Sequence, residues 1–213
     1  MPLIPNRSWQ SIYESQPAGA ESHLVKEFYV PALERSTRYD RIAGYFSSSA
    51  LAVAARGIHA LVDNDGEMRL IMGAELYEND RPVLEALTEE LSADLEKLDD
   101  EQLDAQLQLL AHLLREDRLT IKVALPRKGN WGIFHPKVGI FEDVEENALS
   151  FEGSVNETAG GWERNYERFK VHRSWVEGQR GYVEDDISTF EQLWADDHPY
   201  VEIYDLPEAI EAE

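Results

Sequence analysis

The order of strand, helix and strand between residues 39 and 72 constrains this fold more than any other feature of the sequence. Residues 39–46 form a β-prone run that ends at three serines, which are typical of a helix N-cap. The same serines would alternatively cradle an anion at the helix N-terminus. Helical spacing extends over residues 50–62, and a short apolar strand follows at residues 68–72. This order predicts an α/β fold, in which helices cover the faces of a sheet.

The second half of the chain continues the sheet with four predicted strands. They lie at residues 119–125, 135–141, 148–153 and 168–172. An acidic turn joins the second of them to the third as an antiparallel hairpin. An amphipathic helix at residues 183–194 and a short strand at residues 200–204 complete the pattern. The expected architecture is therefore a mixed β-sheet flanked by helices.

A Leu-rich and acidic stretch at residues 82–118 interrupts this pattern. Its two leucine stripes, separated by acidic residues, predict a helical hairpin that packs on the domain. Contact of the stripes with a partner protein is the alternative. We expect an irregular segment at residues 1–21 and then one domain at residues 22–213, which contains this insertion.

The charge of the chain is unusually acidic. The 42 acids outnumber the 20 Lys and Arg residues, which gives a formal net charge of −22. A chain of this charge repels a polyanion at low salt. Residues 122–173, however, hold eight bases and eight acids, so the remaining sequence carries the whole excess. Two interpretations remain: adaptation to high salt, where charges are screened, or a protein that never meets nucleic acid.

Several classes of protein are excluded by composition. No apolar run approaches the roughly 20 residues that cross a bilayer. The first ten residues have neither the basic nor the apolar part of a signal peptide. There is no cysteine, which excludes a disulfide framework and thiolate metal sites. We expect a cytoplasmic protein without a membrane partner.

The neutral stretch contains five polar residues in a pattern that is typical of a catalytic site. His135 and Lys137 alternate on one predicted strand, so their side chains share a face. Ser154 and Asn156 lie at the end of the strand that pairs with it, and Glu167 begins the next strand. Hairpin pairing is expected to bring the set together. His-x-Lys alone is a weak signal, but both motifs in this order on adjacent strands form a strong one.

These five residue types suit attack on phosphorus. An imidazole serves as the nucleophile, while Lys and Asn donate hydrogen bonds to phosphate oxygens as their charge grows. The carboxylate of Glu167 would hold the second ring nitrogen of His135 and so orient the imidazole. The scheme requires neither a metal nor another cofactor.

Three parts of this sequence resemble the active-site signature of the phospholipase D superfamily: His135-Pro-Lys137, Gly153-Ser-Val-Asn156 and Glu167. The spacing from Asn156 to Glu167 is similar to that in the small bacterial nucleases and restriction endonucleases of the superfamily. The order of the preceding strands is similar to the phospholipase D-like domain at the N-terminus of certain superfamily 2 helicases.

This resemblance implies a metal-free, two-step phosphodiesterase in which a histidine forms a phosphohistidine and a second histidine protonates the leaving oxygen. The chain has one such motif, so the resemblance also implies a homodimer with two copies of His135 facing each other at the two-fold axis. Nucleic acid, DNA above all, is the implied substrate. A helicase domain is an implied partner, with this chain as the N-terminal part of a longer helicase-type protein.

Additional residues are candidates for substrate binding. Arg127, Lys128 and Trp131 precede the motif in a glycine-containing loop, where they would contact phosphate and stack on a base. Gly153 lies beside the catalytic set. A solvated loop is the alternative for the first three. The alternatives for the whole chain are a non-catalytic module that dimerises or docks on a helicase, and a lipid phosphodiesterase.

Overall fold

The computed structural model describes residues 2–15, 23–73, 105–127 and 133–205. Within these ranges, eight strands form one mixed sheet in the order β1-β7-β6-β5-β2-β3-β4-β8. The strands are β1 Ile12–Glu14, β2 Arg38–Ala43, β3 Glu67–Gly73, β4 Leu119–Pro126, β5 Val138–Glu142, β6 Ala148–Gly153, β7 Arg168–Arg173 and β8 Val201–Asp205. The predicted α/β fold with a mixed sheet is therefore confirmed.

Helices cover both faces of this sheet. They are α1, which begins as a π turn over Val25–Tyr29 and continues over Val30–Leu33, α2 Ser49–Val53, α3 Ala55–Asp63, α4 Ala105–Arg115 and α5 Arg180–Trp194. Side chains of α1 to α4 join the larger apolar cluster on one face of the sheet. α5 packs on the opposite face, where Phe190 and Leu193 contact a smaller cluster that includes Ile42 and Ile140. No helix in the described ranges has the length and apolar character needed to cross a bilayer.

The strand–helix–strand unit predicted between residues 39 and 72 contributes the central strands of the sheet. β2 pairs in parallel with β3, with Ile42 opposite Ile71, and β3 pairs in parallel with β4. β2, β3 and β4 have buried residues in both side-chain orientations, as expected for strands covered on both faces. The predicted hairpin is confirmed as well, because β5 and β6 pair antiparallel.

Two elements in the first half of the chain differ from the sequence-based expectations. The expected irregular segment at 1–21 contains an edge strand, β1, which pairs antiparallel with β7 and buries Tyr13. The single helix predicted at 50–62 is two helices, α2 and α3, which meet at Ala54. Of the predicted insertion at 82–118, residues 82–104 lie outside the described ranges, and α4 covers Ala105–Arg115.

The predicted strand at 135–141 was wrong at its start. β5 begins at Val138, so His135 and Lys137 lie in the irregular segment before it. Pro136 ends the ladder because it has no N–H to donate. The Lys137 carbonyl still accepts a hydrogen bond of 3.3 Å from the last residue of β6, which keeps the segment beside that strand.

The strand directions determine where functional side chains can meet. β2, β3 and β4 are parallel, and β6 runs the same way because it is antiparallel to β5. All four end at the same edge of the sheet, where β5 and β7 begin. The segments before β5, after β6 and before β7 therefore converge, and these segments contain the five polar residues of the motif.

Candidate active site

His135 and Lys137 contact each other at this edge of the sheet. The His135 ring is exposed, whereas Lys137 is 9% exposed. The Lys137 Nζ lies 2.8 Å from Nδ1 and 3.1 Å from Nε2 of the ring, and it donates to the His135 carbonyl at 2.9 Å. An ammonium only donates, so these contacts favour an imidazole with an unprotonated nitrogen, the form that a nucleophile requires.

The backbone after β2 comes very close to the imidazole. A Cβ atom on Gly44 would lie 2.7 Å from His135 Cδ2 and 3.4 Å from Asn156 Oδ1. The Tyr45 ring meets the His135 ring edge to face, with 5.8 Å between centroids. Glycine at position 44 is therefore required for this position of the imidazole.

The environment of Lys137 changes its titration. Burial lowers the pKa of the Lys137 ammonium, and the nearby charge of Arg41 lowers it further. The carboxylate of Glu167 acts in the opposite direction. The ammonium is consequently closer to releasing its proton than an exposed lysine would be.

Ser154 and Glu167 form a hydrogen-bonded pair. The Ser154 hydroxyl donates to Glu167 Oε2 and accepts from the backbone N–H of Arg168 at 3.2 Å. Glu167 is 6% exposed, and its other oxygen accepts from the Asn165 amide at 3.3 Å. The predicted contact of Glu167 with the His135 ring is not among the hydrogen bonds of these described residues. Within one chain, Glu167 positions Ser154 instead.

The backbone of two other segments fixes the position of Asn156. Its side-chain oxygen Oδ1 accepts from the backbone N–H of Tyr45 at 3.2 Å. A Cβ atom on Gly161 would lie 2.5 Å from the Asn156 carbonyl, so the following turn packs directly against this residue. With Oδ1 occupied in this way, the amide group keeps its two N–H donors for a ligand.

A buried ion pair supports this part of the site. Glu157, next to Asn156, and Arg41 of β2 are fully buried, with Arg41 Nε 2.9 Å from Glu157 Oε2. The hydroxyls of Tyr29 and Tyr39 also donate to the Glu157 carboxylate. Burial raises the pKa of both phenols, and the Glu157 charge raises it further, which keeps them protonated as donors.

The sequence analysis did not identify this ion pair. The available signal was a charged residue inside a predicted core strand, because buried charges in proteins are almost always paired. Arg41 lies inside a strand whose neighbours are buried, and Glu157 directly follows the Gly-Ser-x-Asn motif. Nothing in a single sequence, however, indicates which acid meets which base.

Three of the five motif residues line an open cleft of about 650 Å³. His135, Lys137 and Ser154 lie on one part of its wall, and Arg168 and Lys170 of β7 on another. A smaller pocket of about 300 Å³ shares His135 with this cleft and is bounded mainly by apolar side chains, among them Phe134, Leu193 and Val201. The imidazole thus separates a polar cleft from an apolar pocket.

The predicted substrate-binding residues have different positions. Gly153 lines the cleft, and a Cβ there would lie 2.3 Å from the Arg168 carbonyl. The Arg127 guanidinium lies 3.3 Å from Asp196 and 3.5 Å from Glu202, next to β8. Lys128 and Trp131 lie outside the described residues. In the part of the chain that is described, no group of three or more His, Asp or Glu side chains could hold a metal ion.

The fold has counterparts among solved structures. No protein-family model matches the sequence, and neither does any curated protein. NucT from Helicobacter pylori superposes with a TM-score of 0.51 and 16% sequence identity, over 90% of this chain and 97% of that one. Nuc from Salmonella typhimurium, a phospholipase D family member, gives a TM-score of 0.46 and 16% identity, over 87% and 94% of the two chains. The chain therefore shares the fold of NucT along nearly its whole length.

Proposed function

We propose that this chain is a metal-independent phosphodiesterase that cleaves nucleic acid, most directly DNA, with His135 as the nucleophile. The observation that carries the proposal is the exposed imidazole of His135 in a cleft, with the Lys137 ammonium within 3.1 Å of both ring nitrogens. The Asn156 amide keeps its N–H donors for a ligand, and Ser154, whose hydroxyl donates to Glu167, lines the same cleft as His135. The fold shared with NucT agrees with the fold that the phospholipase D resemblance implies.

In the first step, an unprotonated nitrogen of His135 attacks phosphorus. An N–P bond forms, and the P–O bond to the leaving nucleotide breaks. Lys137 and Asn156 donate to the non-bridging oxygens, whose negative charge grows in the transition state. The leaving oxygen takes its proton from a second imidazolium, and the other product is a phosphohistidine.

In the second step, water attacks the phosphohistidine. The N–P bond breaks, one proton of the water passes to the second imidazole, and a phosphomonoester is released. The other histidines described here do not accompany a Lys two residues further on, so we infer that the second imidazole is His135 of another copy of this chain. A two-fold axis beside the cleft would place the two rings on opposite sides of one phosphate.

A cleavage assay in EDTA tests the activity. The parent protein should cleave single- or double-stranded DNA without added metal, whereas His135→Ala should lose several orders of magnitude in rate. His59→Ala is the matched control, because His59 is an exposed histidine on α3. If the parent cleaves nothing, the alternative of a non-catalytic module that dimerises or docks on a helicase replaces this proposal. If both variants cleave as fast as the parent, the activity belongs to a contaminant or to another site, and His135 is not the nucleophile.

Sedimentation tests the assembly. The parent should sediment as a dimer, and dimers formed from equal amounts of parent and His135→Ala should retain roughly a quarter of the parent activity, because only all-parent dimers keep both histidines. A monomer with full activity would contradict the shared site. A helicase partner and a larger parent protein remain predictions from the resemblance, and a cytoplasmic location remains a prediction from the composition.

A further inference from the structure

A row of side chains on β7 leads away from the candidate active site. Arg168, Lys170 and His172 alternate along the strand, so they lie on the same face of the sheet. The first two line the cleft that contains His135. The row begins beside Ser154, whose hydroxyl accepts from the Arg168 backbone N–H.

The two bases of this row are available to a ligand. Lys170 is exposed, and no ion pair or hydrogen bond joins its ammonium to any of the described residues. Arg168 is 48% exposed, and its ion pair with the half-exposed Glu14 is long, at 3.8 Å. An exposed pair of this kind contributes little and is readily exchanged for another anion. The cleft therefore holds free positive charge in a chain whose net charge is −22.

An exposed aromatic ring lies at the far end of the row. Tyr182, near the start of α5, is 60% exposed and stacks on His172 with 4.7 Å between ring centroids and 20° between planes. The stacking fixes the orientation of the Tyr182 ring. The residues that follow it, Glu184 and Asp185, are acidic and exposed, so this end repels phosphate but accepts an uncharged ring.

We propose that this row binds one single strand of nucleic acid, with phosphates on Arg168 and Lys170 and a base stacked on Tyr182. The proposal rests on the proposed function, since the strand would extend from the phosphate at His135. Side chains two residues apart on a β-strand lie roughly 6.6 Å apart, and the row of three covers roughly twice that length. A base can stack on Tyr182 only if it is unpaired, which excludes an intact duplex at this position.

An acid on the neighbouring strand allows a substitution that should strengthen binding. Glu152 of β6 is directly opposite Lys170 in the sheet and lines the same cleft. Its carboxylate would repel a phosphate bound to Lys170. Removal of the acid should therefore strengthen binding, whereas removal of the base should weaken it.

Fluorescence anisotropy with a labelled single-stranded oligonucleotide tests the row without requiring cleavage. Lys170→Ala and Arg168→Ala should each weaken binding by roughly tenfold, as expected for one lost charge-assisted contact. Each should also reduce the slope of log K against log salt by about 0.7. Glu152→Gln should bind more tightly than the parent. Arg56→Ala is the matched control, because Arg56 lies on α3 and pairs with Glu34, a residue of the segment that precedes β2.

Two further comparisons test stacking on the Tyr182 ring and the preference for a single strand over a duplex. Tyr182→Ala should weaken binding of the single strand, and Tyr182→Phe should restore it, because the phenylalanine ring still stacks. A blunt duplex should show a smaller loss with Tyr182→Ala than the single strand does. Equal losses for duplex and single strand would overturn the assignment to a single strand.

Two further outcomes separate this inference from the proposed function. If Lys170→Ala and Glu152→Gln bind like Arg56→Ala, the row is wrong, whatever the cleavage assay shows. A change in the sedimentation of Lys170→Ala would assign this surface to the contact between chains and would also overturn the inference. If instead the parent binds the single strand as described but cleaves nothing in EDTA, the row stands and the proposed function fails.

Discussion

At the scale of single residues, the site depends on two close approaches to His135. The Lys137 ammonium lies against the imidazole, and Gly44 leaves no room for a side chain on the other side. The first controls the charge around the ring and the second its position. Each can be tested by one substitution.

The pH dependence of cleavage should reflect Lys137. Its pKa is lowered by burial and by Arg41, so the ammonium is lost at a pH below the ordinary lysine value of about 10.4. The rate needs the protonated form, because the ammonium donates to phosphate. As the pH rises, kcat/KM for a single-stranded substrate should therefore begin to fall at a pH below about 10.4, and the profile should show one alkaline limb.

Lys137→Arg is the control for this limb. An arginine stays protonated throughout the range, so the variant should cleave more slowly but without the alkaline fall. An unchanged limb in Lys137→Arg would assign the titration to another group.

Gly44→Ala should inactivate the site with little effect on stability. The new Cβ would be 2.7 Å from His135 Cδ2, and the exposed ring can move away without disturbing the core. Displacement of a reacting group by about 1 Å costs roughly 100-fold in rate. Cleavage rate and melting temperature should be measured together.

Gly181→Ala is the matched substitution. A Cβ at position 181 of α5 meets nothing within 4 Å, so this variant should keep its activity and gain helix stability. Full activity in Gly44→Ala would show that the imidazole position described here is not the reactive one.

At the scale of elements, the segment after β6 is held by a buried charge. Glu157 links this segment to β2 through Arg41 and to α1 through Tyr29. Its backbone also accepts from Ser47 at 2.9 Å and donates to Tyr45 at 3.2 Å. The segment that contains Asn156 is thus held by contacts with β2, with α1 and with the residues between β2 and α2.

Glu157→Gln should strongly destabilise the fold. The substitution keeps the shape but leaves the Arg41 charge buried without its partner, which costs about 3–5 kcal/mol. Urea denaturation with an unchanged m-value would measure this loss. Glu163→Gln, at an exposed acid of the turn that follows, should change the free energy of unfolding by less than about 0.5 kcal/mol. Similar stabilities of the two variants would contradict the role of the ion pair.

The sheet could be predicted well from local patterns, because most strands are short apolar or alternating runs and the turn after β5 has clear hairpin chemistry. β1 was missed since a three-residue edge strand, Ile12–Glu14, has too little periodicity to be recognised. The break at Ala54 was missed because the helix pattern continues across it. Tertiary contacts determine both features.

The site was only partly predictable for the same reason. His135 does contact Lys137, although both residues lie before β5 and not on it as strand alternation assumed, and hairpin pairing places Ser154 in the same cleft. The hydrogen bond from Ser154 to Glu167 depends instead on the antiparallel pairing of β6 with β7, which sets Gly153 opposite Phe169. That long-range register is not encoded in any local motif.

At the scale of the whole molecule, charge is distributed unevenly. The stretch at 122–173, which contains most of β4 and all of β5 to β7, is neutral, and the whole excess of acids lies elsewhere. Buried pairs such as Arg41 with Glu157 are little affected by salt, but exposed acids repel one another. A polyanionic substrate would therefore meet the least repulsion at this neutral stretch, which contains the residues of the cleft.

Added salt should stabilise the protein. Screening of the −22 net charge relieves self-repulsion, so the melting temperature should rise between about 0.1 and 2 M KCl. The measurement needs only a thermal scan at each concentration. A steady fall over this range would refute the interpretation of the charge as adaptation to high salt.

Trapping of the covalent intermediate tests the central claim most directly. The parent should be incubated in EDTA with DNA that carries radioactive internal phosphates, and then denatured in alkali. We predict a label on the protein that survives base and is lost in acid, as expected of a phosphohistidine. It should be present in His59→Ala and absent in His135→Ala. A label that remains in His135→Ala, or one that is stable in acid and lost in base as for phosphorylated Ser154, would contradict His135 as the nucleophile.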